Sequence, residues 1–305
     1  DGEGVHSEPG IHLGARRLAI VDRPGGHQPR SDESGTRWVA QNGEIYNHLE
    51  LRAGLETRGH RFQTRSDTEA IVHCYEERGA GTFAALDGMF AVALWDRGTA
   101  TLTLARDRLG EKPLYYALAG GQLAFASEIK ALLEVPGVPR AVDPHALDDY
   151  LALQYVTGTR TLFRGISKLA PGTALTFRAG EVRVERWWTP PASSGGTLAP
   201  AELIELLSSA VEARLPDEVP WGCFLSGGID SGAVAALMAR HARDRLKTYT
   251  VGFDVPGAPD ERRLAAGVAR HLGADHAELV LAAPGPAALL DLTWCLDLPV
   301  ANAAT

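Results

Sequence analysis

The chain has 305 residues, 45% of them hydrophobic and 22% charged, with a formal net charge of -8. Roughly 150 residues per domain leaves room for two domains with proper cores, and an acidic balance with no run of five like charges argues against a nucleic-acid or anionic-membrane surface. Cys74, Cys223 and Cys295 show no C-x-x-C spacing, so neither a disulfide framework nor a zinc site is indicated and a reducing cytosol fits best, while no apolar segment approaches the ~20 residues that span a bilayer.

Residues 10–22, GIHLGARRLAIVD, predict a strand pair with a bend near Gly14. Arg16 and Arg17 are adjacent, so on extended backbone they point to opposite faces. One is free to meet solvent while the other turns inward, where it would need a carboxylate. A strand over Arg37 to Gln41 runs into Asn42-Gly43-Glu44. A glycine N–H beside an asparagine amide supplies the parts of an oxyanion hole, although Asn-Gly alone is more often just a turn. Leu49 to Thr57 reads as a short helix. Ser66 and Glu69 have capping-box spacing for a helix reaching about Arg78, which places Asp67 in its first turn. Asp67 is there either a dipole-compensating acid or a carboxylate for a substrate ammonium. His73 and Cys74, adjacent in mid-helix, diverge by about 100° and suit core and surface roles rather than a catalytic pair.

Phe90–Trp95 with Thr101–Ala105, Leu114–Leu118 with Gln122–Ala126, and Ala174–Phe177 with Val182–Trp187 read as hairpins. Ser127–Leu133 and Pro144–Tyr155 read as helices. Together they predict an α+β first domain of layered antiparallel sheets. The Pro, Ser and Gly-rich TPPASSGGT marks a linker over 189–197, between domains at 1–188 and 198–305.

Beyond it, Ala201–Leu215 carries Leu203, Leu207, Val211 and Leu215 on one face and reads as a core helix. Then Val219 to Met238, VPWGCFLSGGIDSGAVAALM, reads as strand, glycine loop and helix. Gly227 and Gly228 leave backbone N–H groups uncovered, and the helix starting near Ser231 aims its positive end at them, which suits an anion such as phosphate. The dipole contributes only ~0.3–1 kcal/mol, so the Ser226 and Ser231 hydroxyls and several N–H donors share the work. Asp230 would repel a phosphate unless Mg2+ lay between them, which makes it the candidate metal ligand. A bare strand-to-helix turn with Ser231 or Asp230 as N-cap is the plainer alternative. Thr248–Phe253, Arg262–Leu272 and Ala277–Leu281 continue as strand, helix, strand, the helix carrying Leu264, Val268 and Leu272 on one face. Alternation of this kind predicts an α/β parallel sheet with ligands at the carboxyl ends of its strands.

GARRLAIVD, QNGEIYNHLELR, FQTRSDTEAI, LDGMFAVALWD, RDRLGEKPLYY and ASEIKALL, followed by FLSGGIDS, together resemble the glutamine-dependent asparagine synthetase family. The resemblance implies an Ntn-hydrolase-like class II glutamine amidotransferase domain followed by the start of an ATP-pyrophosphatase domain. It implies that Arg17 grips the glutamine carboxylate, that Glu44 and Asp67 receive its ammonium, and that Asn42 with the Gly43 N–H forms the oxyanion hole. For ATP it implies the loop of Ser226, Gly227, Gly228, Asp230 and Ser231, bordered by Leu225, Val251 and Gly252, with Mg2+ on Asp230. Packing beside the loop explains Leu225, Val251 and Gly252 equally well, and helix-dipole complementarity suffices for Asp260 and Glu261.

In that family the nucleophile is an N-terminal cysteine whose α-amino group takes the proton. DGEG resembles the end of the segment just after it, so the chain is expected to be truncated at both ends, with none of its three cysteines in that role. Gly232 stands where most family loops have a second serine, and Leu298 where many have an acid after Asp297. The implied reaction joins ammonia from glutamine to ATP-activated aspartate in the cytoplasm. The partners are the small molecules glutamine, aspartate and ATP, with no nucleic acid and no membrane; a homodimer is left open. Two alternatives stand beside it: a related synthetase adenylating another carboxylate, as in β-lactam formation, and a non-catalytic nucleotide-binding fragment.

Overall fold

The computed structural model describes residues 2–192, 195–254, 260–282 and 285–299. Asp1 of the opening segment, residues 193–194 of the expected linker and residues 300–305 of the final segment lie outside the described residues. The chain divides into two compact units, Asp1–Pro191 with Leu292–Thr305, and Ala192–Asp291.

In the first unit β1 (Gly2–Glu8) and β2 (Ile11–Arg17) pair antiparallel. The expected bend at Gly14 is corrected here: Gly14 lies inside β2 opposite Val5, and the reversal falls at Pro9-Gly10, where Gly10 has φ +97°. Glycine enters that region without a Cβ clash. The elements that follow are β3 (Arg30–Ser31), β4 (Arg37–Ile45), α1 (His48–Glu56), α2 (Asp67–Arg78), α3 (Thr82–Ala85), β5 (Gly88–Asp96) and β6 (Thr101–Arg106). Then come β7 (Tyr115–Ala119), β8 (Gln122–Ala126), α4 (Ile129–Leu132), α5 (Pro144–Leu153), β9 (Ile166–Lys168), β10 (Thr173–Arg178) and β11 (Glu181–Arg186).

Six strands form one antiparallel sheet in the order β11-β10-β6-β5-β4-β3, and β8-β7-β9 form a second, smaller one. The three hairpins read from sequence are the pairs β5/β6, β7/β8 and β10/β11. Strand alternation explains how β5 organises the unit. Its Ala91, Ala93 and Trp95 enter a cluster with Ile11, Leu13, Leu102 and Leu104, against which Tyr116, Leu123 and Phe125 pack. Its Phe90, Val92 and Leu94 enter another with Ile71 and Val72 of α2 and with Phe83 and Leu86. Both faces of the central strand are therefore dry, and α2 is pinned over β4.

The capping box at α2 half-closes. Ser66 Oγ accepts from Thr68 N–H at 3.2 Å, while Glu69 turns away to accept from the N–H groups of Gln63 and Thr64 at 2.8 and 2.7 Å. Burial favours this choice, because Glu69 is 1% exposed and a buried carboxylate needs several donors. Against the opposing effect of burial, His73 first, then the Thr64 hydroxyl and these two N–H groups hold its carboxyl down at about 2.

The second unit holds α6 (Pro200–Glu212), β12 (Cys223–Phe224), α7 (Ile229–His241), β13 (Lys247–Asp254), α8 (Arg262–Leu272) and β14 (Asp275–Ala282); α9 (Pro286–Leu296) follows. β12, β13 and β14 make a parallel three-stranded sheet. Its core gathers Leu225, Ala235, Met238, Leu246, Ala265 and Ala269. Two expectations are corrected. No residue of α6 is buried: Leu203 and Leu207 are exposed, and only Val211 and Leu215 of the stripe touch the core. On α8 the buried residues are Ala265 and Ala269, while Leu264 is exposed. A stripe of leucines gives the period of a helix, not the depth of the surface it meets. No described helix is long and apolar enough to cross a membrane.

Candidate functional site

The glutamine-type residues are set by β2, β4 and the start of α2. β4 extends to Ile45, so Asn42, Gly43 and Glu44 sit within a paired strand opposite Ala91, Phe90 and Met89, not in a turn after it. Gly43 has φ +153°, and a Cβ there would run into the Met89 carbonyl oxygen. Only glycine fits that approach. Asn42 is exposed and its Nδ2 donates to Ser127 Oγ at 3.2 Å.

Asp67 is 4% exposed, and its Oδ2 accepts from Gln41 Nε2 at 2.7 Å and from Ile45 N–H at 3.0 Å. These bonds tie the first residue of α2 to both ends of the Asn42–Glu44 segment. Glu44 is half-buried. Burial first, and then the negative charge of Asp67, raise its carboxyl above the usual range, with Lys112 opposing. A carboxyl raised by a neighbouring negative charge is one that a nearby cation would stabilise.

Arg16 faces solvent and Arg17 turns inward, its neighbours being carbonyls rather than the expected carboxylate: the guanidinium donates to Val21 O and, at 3.3 Å, to Asp22 O. It lines a cavity of about 320 Å³ together with Glu3, Arg23, His27 and Gln28. Asn42, Glu44 and Asp67 do not line that cavity. The connection runs through residues that pattern reading missed. Gln28 Nε2 donates to Thr68 Oγ1 at 3.1 Å and its Oε1 accepts from Gln41 N–H at 2.7 Å. Asp22 Oδ2 accepts from Arg65 N–H at 2.8 Å, two residues before Asp67. A glutamine closing the apolar WVAQ run was the one signal available for Gln41.

At the second site Leu225 follows β12 and is bound to β13 at both its ends: its N–H donates to Tyr249 O at 2.8 Å, and its carbonyl accepts from Thr250 Oγ1 at 2.5 Å. The turn that follows therefore leaves the carboxyl edge of a parallel sheet, beside Val251 and Gly252 of β13. Ser226 Oγ and Ser231 Oγ lie 2.7 Å apart, and Ser226 Oγ also accepts from Gly228 N–H at 3.1 Å. The hydroxyls close the turn on itself. α7 starts at Ile229, two residues before the expected Ser231, with Gly228 as N-cap and no side-chain cap. Its first N–H groups have no intrahelical acceptor by construction. Ser226 takes the N–H of the N-cap Gly228 alone; neither serine hydroxyl nor Asp230 covers those of Ile229, Asp230 and Ser231, and Asp230 is exposed in the first turn. That open, positive helix end beside a carboxylate fits a phosphate with a divalent cation.

The glycines also meet α8. A Cβ on Gly227 would lie 2.6 Å from Leu264 Cβ, and one on Gly252 would lie 2.5 Å from Arg262 Cδ. Gly232 meets nothing closer than Val268, at 3.9 Å. Asp260 is more than a dipole partner: it accepts from Arg262 N–H at 3.1 Å and pairs with that guanidinium at 2.7 Å, which holds its carboxyl down at about 2. In the first unit Asp297 accepts from Ile129 N–H at 2.6 Å and meets Lys130 Nζ at 3.1 Å, capping α4. None of the cysteines is built as a nucleophile. Burial pushes the thiols of Cys74 and Cys223 up, and Cys295 is exposed.

Residues 1–188 match the family model described as a glutamine amidotransferase domain, and the chain belongs to that family. Residues 202–305 match the model described as asparagine synthase, so the two families meet in one chain. Over 312 residues it is 41% identical to a Mycobacterium bovis relative, covering 97% of this chain and 48% of the relative. It is 34% identical to the glutamine-hydrolysing asparagine synthetase 1 of Bacillus subtilis strain 168, covering 100% of this chain and 48% of that protein. With the glutamine-hydrolysing asparagine synthetase 2 of Oryza sativa it shares 37% identity over 293 residues, 92% of this chain and 44% of that one. The chain spans about half the length of these relatives.

Proposed function

We propose that the chain is part of a glutamine-hydrolysing asparagine synthetase, an ATP-dependent carbon–nitrogen ligase of the cytoplasm. The Ntn-hydrolase-like domain is 1–188, the linker 189–197, and the ATP-pyrophosphatase domain begins at 198. Glutamine is held by Arg17 at its carboxylate and by Glu44 and Asp67 at its ammonium. Asn42 and the Gly43 N–H face the oxygen on which charge develops as the amide is cleaved. At the second site Leu225, Val251 and Gly252 border the nucleoside of ATP. The N–H groups of Gly227, Gly228 and the α7 terminus, with Ser226 and Ser231, hold the two phosphates that leave together. Asp230 positions Mg2+, which when bound offsets charge on the departing pyrophosphate. Activation is required because an aspartate carboxylate has no usable leaving group, whereas its adenylate does.

The observation that carries this reading is the uncapped start of α7 at the carboxyl edge of the parallel strands, with Asp230 exposed beside it. The test is ATP–pyrophosphate exchange by the full-length protein. Exchange dependent on aspartate supports asparagine synthesis, and exchange stimulated only by another carboxylic acid refutes it.

A further inference from the structure

Three segments of the first unit bring two imidazoles and two carboxylates to one spot that the proposed reaction does not use. His73 and Glu76 share a face of α2 at i, i+3, His60 follows α1, and Glu33 lies in the turn between β3 and β4. One ligand atom of each lies within 4.8 Å of all the others. His73 Nδ1 is 3.3 Å from Glu33 Oε2 and 2.8 Å from Glu76 Oε2. His60 Nδ1 is 3.5 Å from Glu33 Oε1 and 3.4 Å from Glu76 Oε2. Nitrogen and oxygen ligands at ~2.0–2.2 Å from Zn2+ define a tetrahedron with edges of about 3.3–3.6 Å. With Glu33 Oε2 and Glu76 Oε2 as the carboxylate ligands, the distances of 3.3 and 3.4 Å are already such edges and the 2.8 Å one is shorter, while Glu33 Oε1 stands behind its partner oxygen.

We propose that Glu33, His60, His73 and Glu76 form a structural site for a divalent cation of the Zn2+ type, one that ties α2 to the two turns packed against it. The outer contacts match that role. His60 Nε2 meets Glu77 Oε1 at 3.1 Å, which places the ring proton on Nε2 and leaves the Nδ1 lone pair for the metal. Glu33 Oε1 accepts from Arg61 N–H at 2.8 Å, and Glu76 Oε1 faces Arg37 at 3.5 Å, so each carboxylate is oriented from behind. The buried His73 ring has Nε2 without a hydrogen-bond partner, with Glu69 Oε1 at 3.8 Å.

The competing account is a single imidazolium at His73 among carboxylates, which places a positive ring at a site 1% exposed. One divalent cation balances Glu33 and Glu76 with both rings neutral. Four protein ligands leave no open position, which is the pattern of a structural site, and the Glu33 side chain, 32% exposed, provides the way in.

The test uses the full-length protein, stripped with a chelator and titrated with Co2+ and then Zn2+. The expected result is one Co2+ per chain with intense visible bands of tetrahedral geometry, displaced by Zn2+, and a thermal midpoint raised by Zn2+. His60→Ala and Glu33→Gln, both in turns, should each weaken Co2+ binding by more than tenfold. Glu77→Gln, whose carboxylate meets the far nitrogen of His60 and, at 4.0 Å, Arg58, should weaken it by about 10–100-fold. No saturable uptake by the wild-type protein, weak octahedral bands, or equal uptake by the variants overturns the proposal.

Discussion

The glutamine-type residues stand on a sheet dry on both faces, whereas the phosphate-type turn stands at the edge of a three-stranded sheet beside helices that bury little. Asp67 in the first unit is a structural tie as much as a candidate ligand, while Asp230 in the second is exposed and free of structural duty. Where a site is made of buried side chains, stability and function share the same bonds. Where it is made of open backbone N–H groups, they separate, and substitutions at the two sites should behave differently.

The largest contrast lies in the cores. Phe90→Ala, at a fully buried position of β5, should cost about 3–5 kcal/mol in urea denaturation. Leu206→Ala, on the exposed side of α6, should stay within about 0.5 kcal/mol. A large cost at Leu206 in the full-length protein would show that this helix gains a cover. Next is Gly43→Ala, whose Cβ meets backbone in a strand that cannot move. It should lose about 1–3 kcal/mol together with glutamine hydrolysis, and an active, stable variant would remove Gly43 from the site.

A matched pair then separates the two sites. Asp67→Asn should destabilise by about 1–3 kcal/mol, because the oxygen that accepts from Gln41 and Ile45 becomes a neutral amide acceptor in place of a charged carboxylate. Asp230→Asn should leave stability within about 0.5 kcal/mol while lowering ATP–pyrophosphate exchange on the order of 10²-fold. Unchanged exchange would strike Asp230 from the metal role.

The smallest effects are pH-dependent and opposite in sign within the first unit. Glu44 is raised in the fold above the ordinary carboxylate value of 4.5. Its contribution to stability is therefore complete below that value and is lost as pH rises through the raised one. Glu8 is held down at about 2 through its hydrogen bond to Arg97, with Trp95 adding to it. Its contribution is complete above 4.5 and is lost as pH falls toward about 2. Stability profiles of Glu44→Gln and Glu8→Gln should diverge from the wild type in opposite directions. Parallel profiles would contradict both environments.

Much of this was legible in the residues. The hairpins at β5/β6, β7/β8 and β10/β11 follow from period-two runs around glycine and Asp-Arg-Gly turns, and the β-α-β order of the second unit follows from apolar runs alternating with helical stripes. The six family-like motifs ahead of FLSGGIDS marked both candidate sites. What pattern could not supply was depth. Leu203, Leu207 and Leu264 have the spacing of a buried face and lie exposed, because burial depends on what a helix meets and not on its own period. Nor could pattern join residues across the chain: Gln28, Gln41 and Thr68 become one buried network only when β4 lies under α2, and no local rule places residue 28 beside 68.

The amino-acid order by itself determined the elements, the strand alternation that divides β5 between two clusters, and the glycines without which two backbones could not approach. Those are properties of neighbours along the chain, fixed by periods of two and 3.6 and by the absence of a Cβ. The tertiary structure decided which carboxylates carry structure and which stand free, and it gathered Glu33, His60, His73 and Glu76 from three segments into one cluster. Charge, burial and ligand geometry depend on distances between remote residues, and only packing sets those distances.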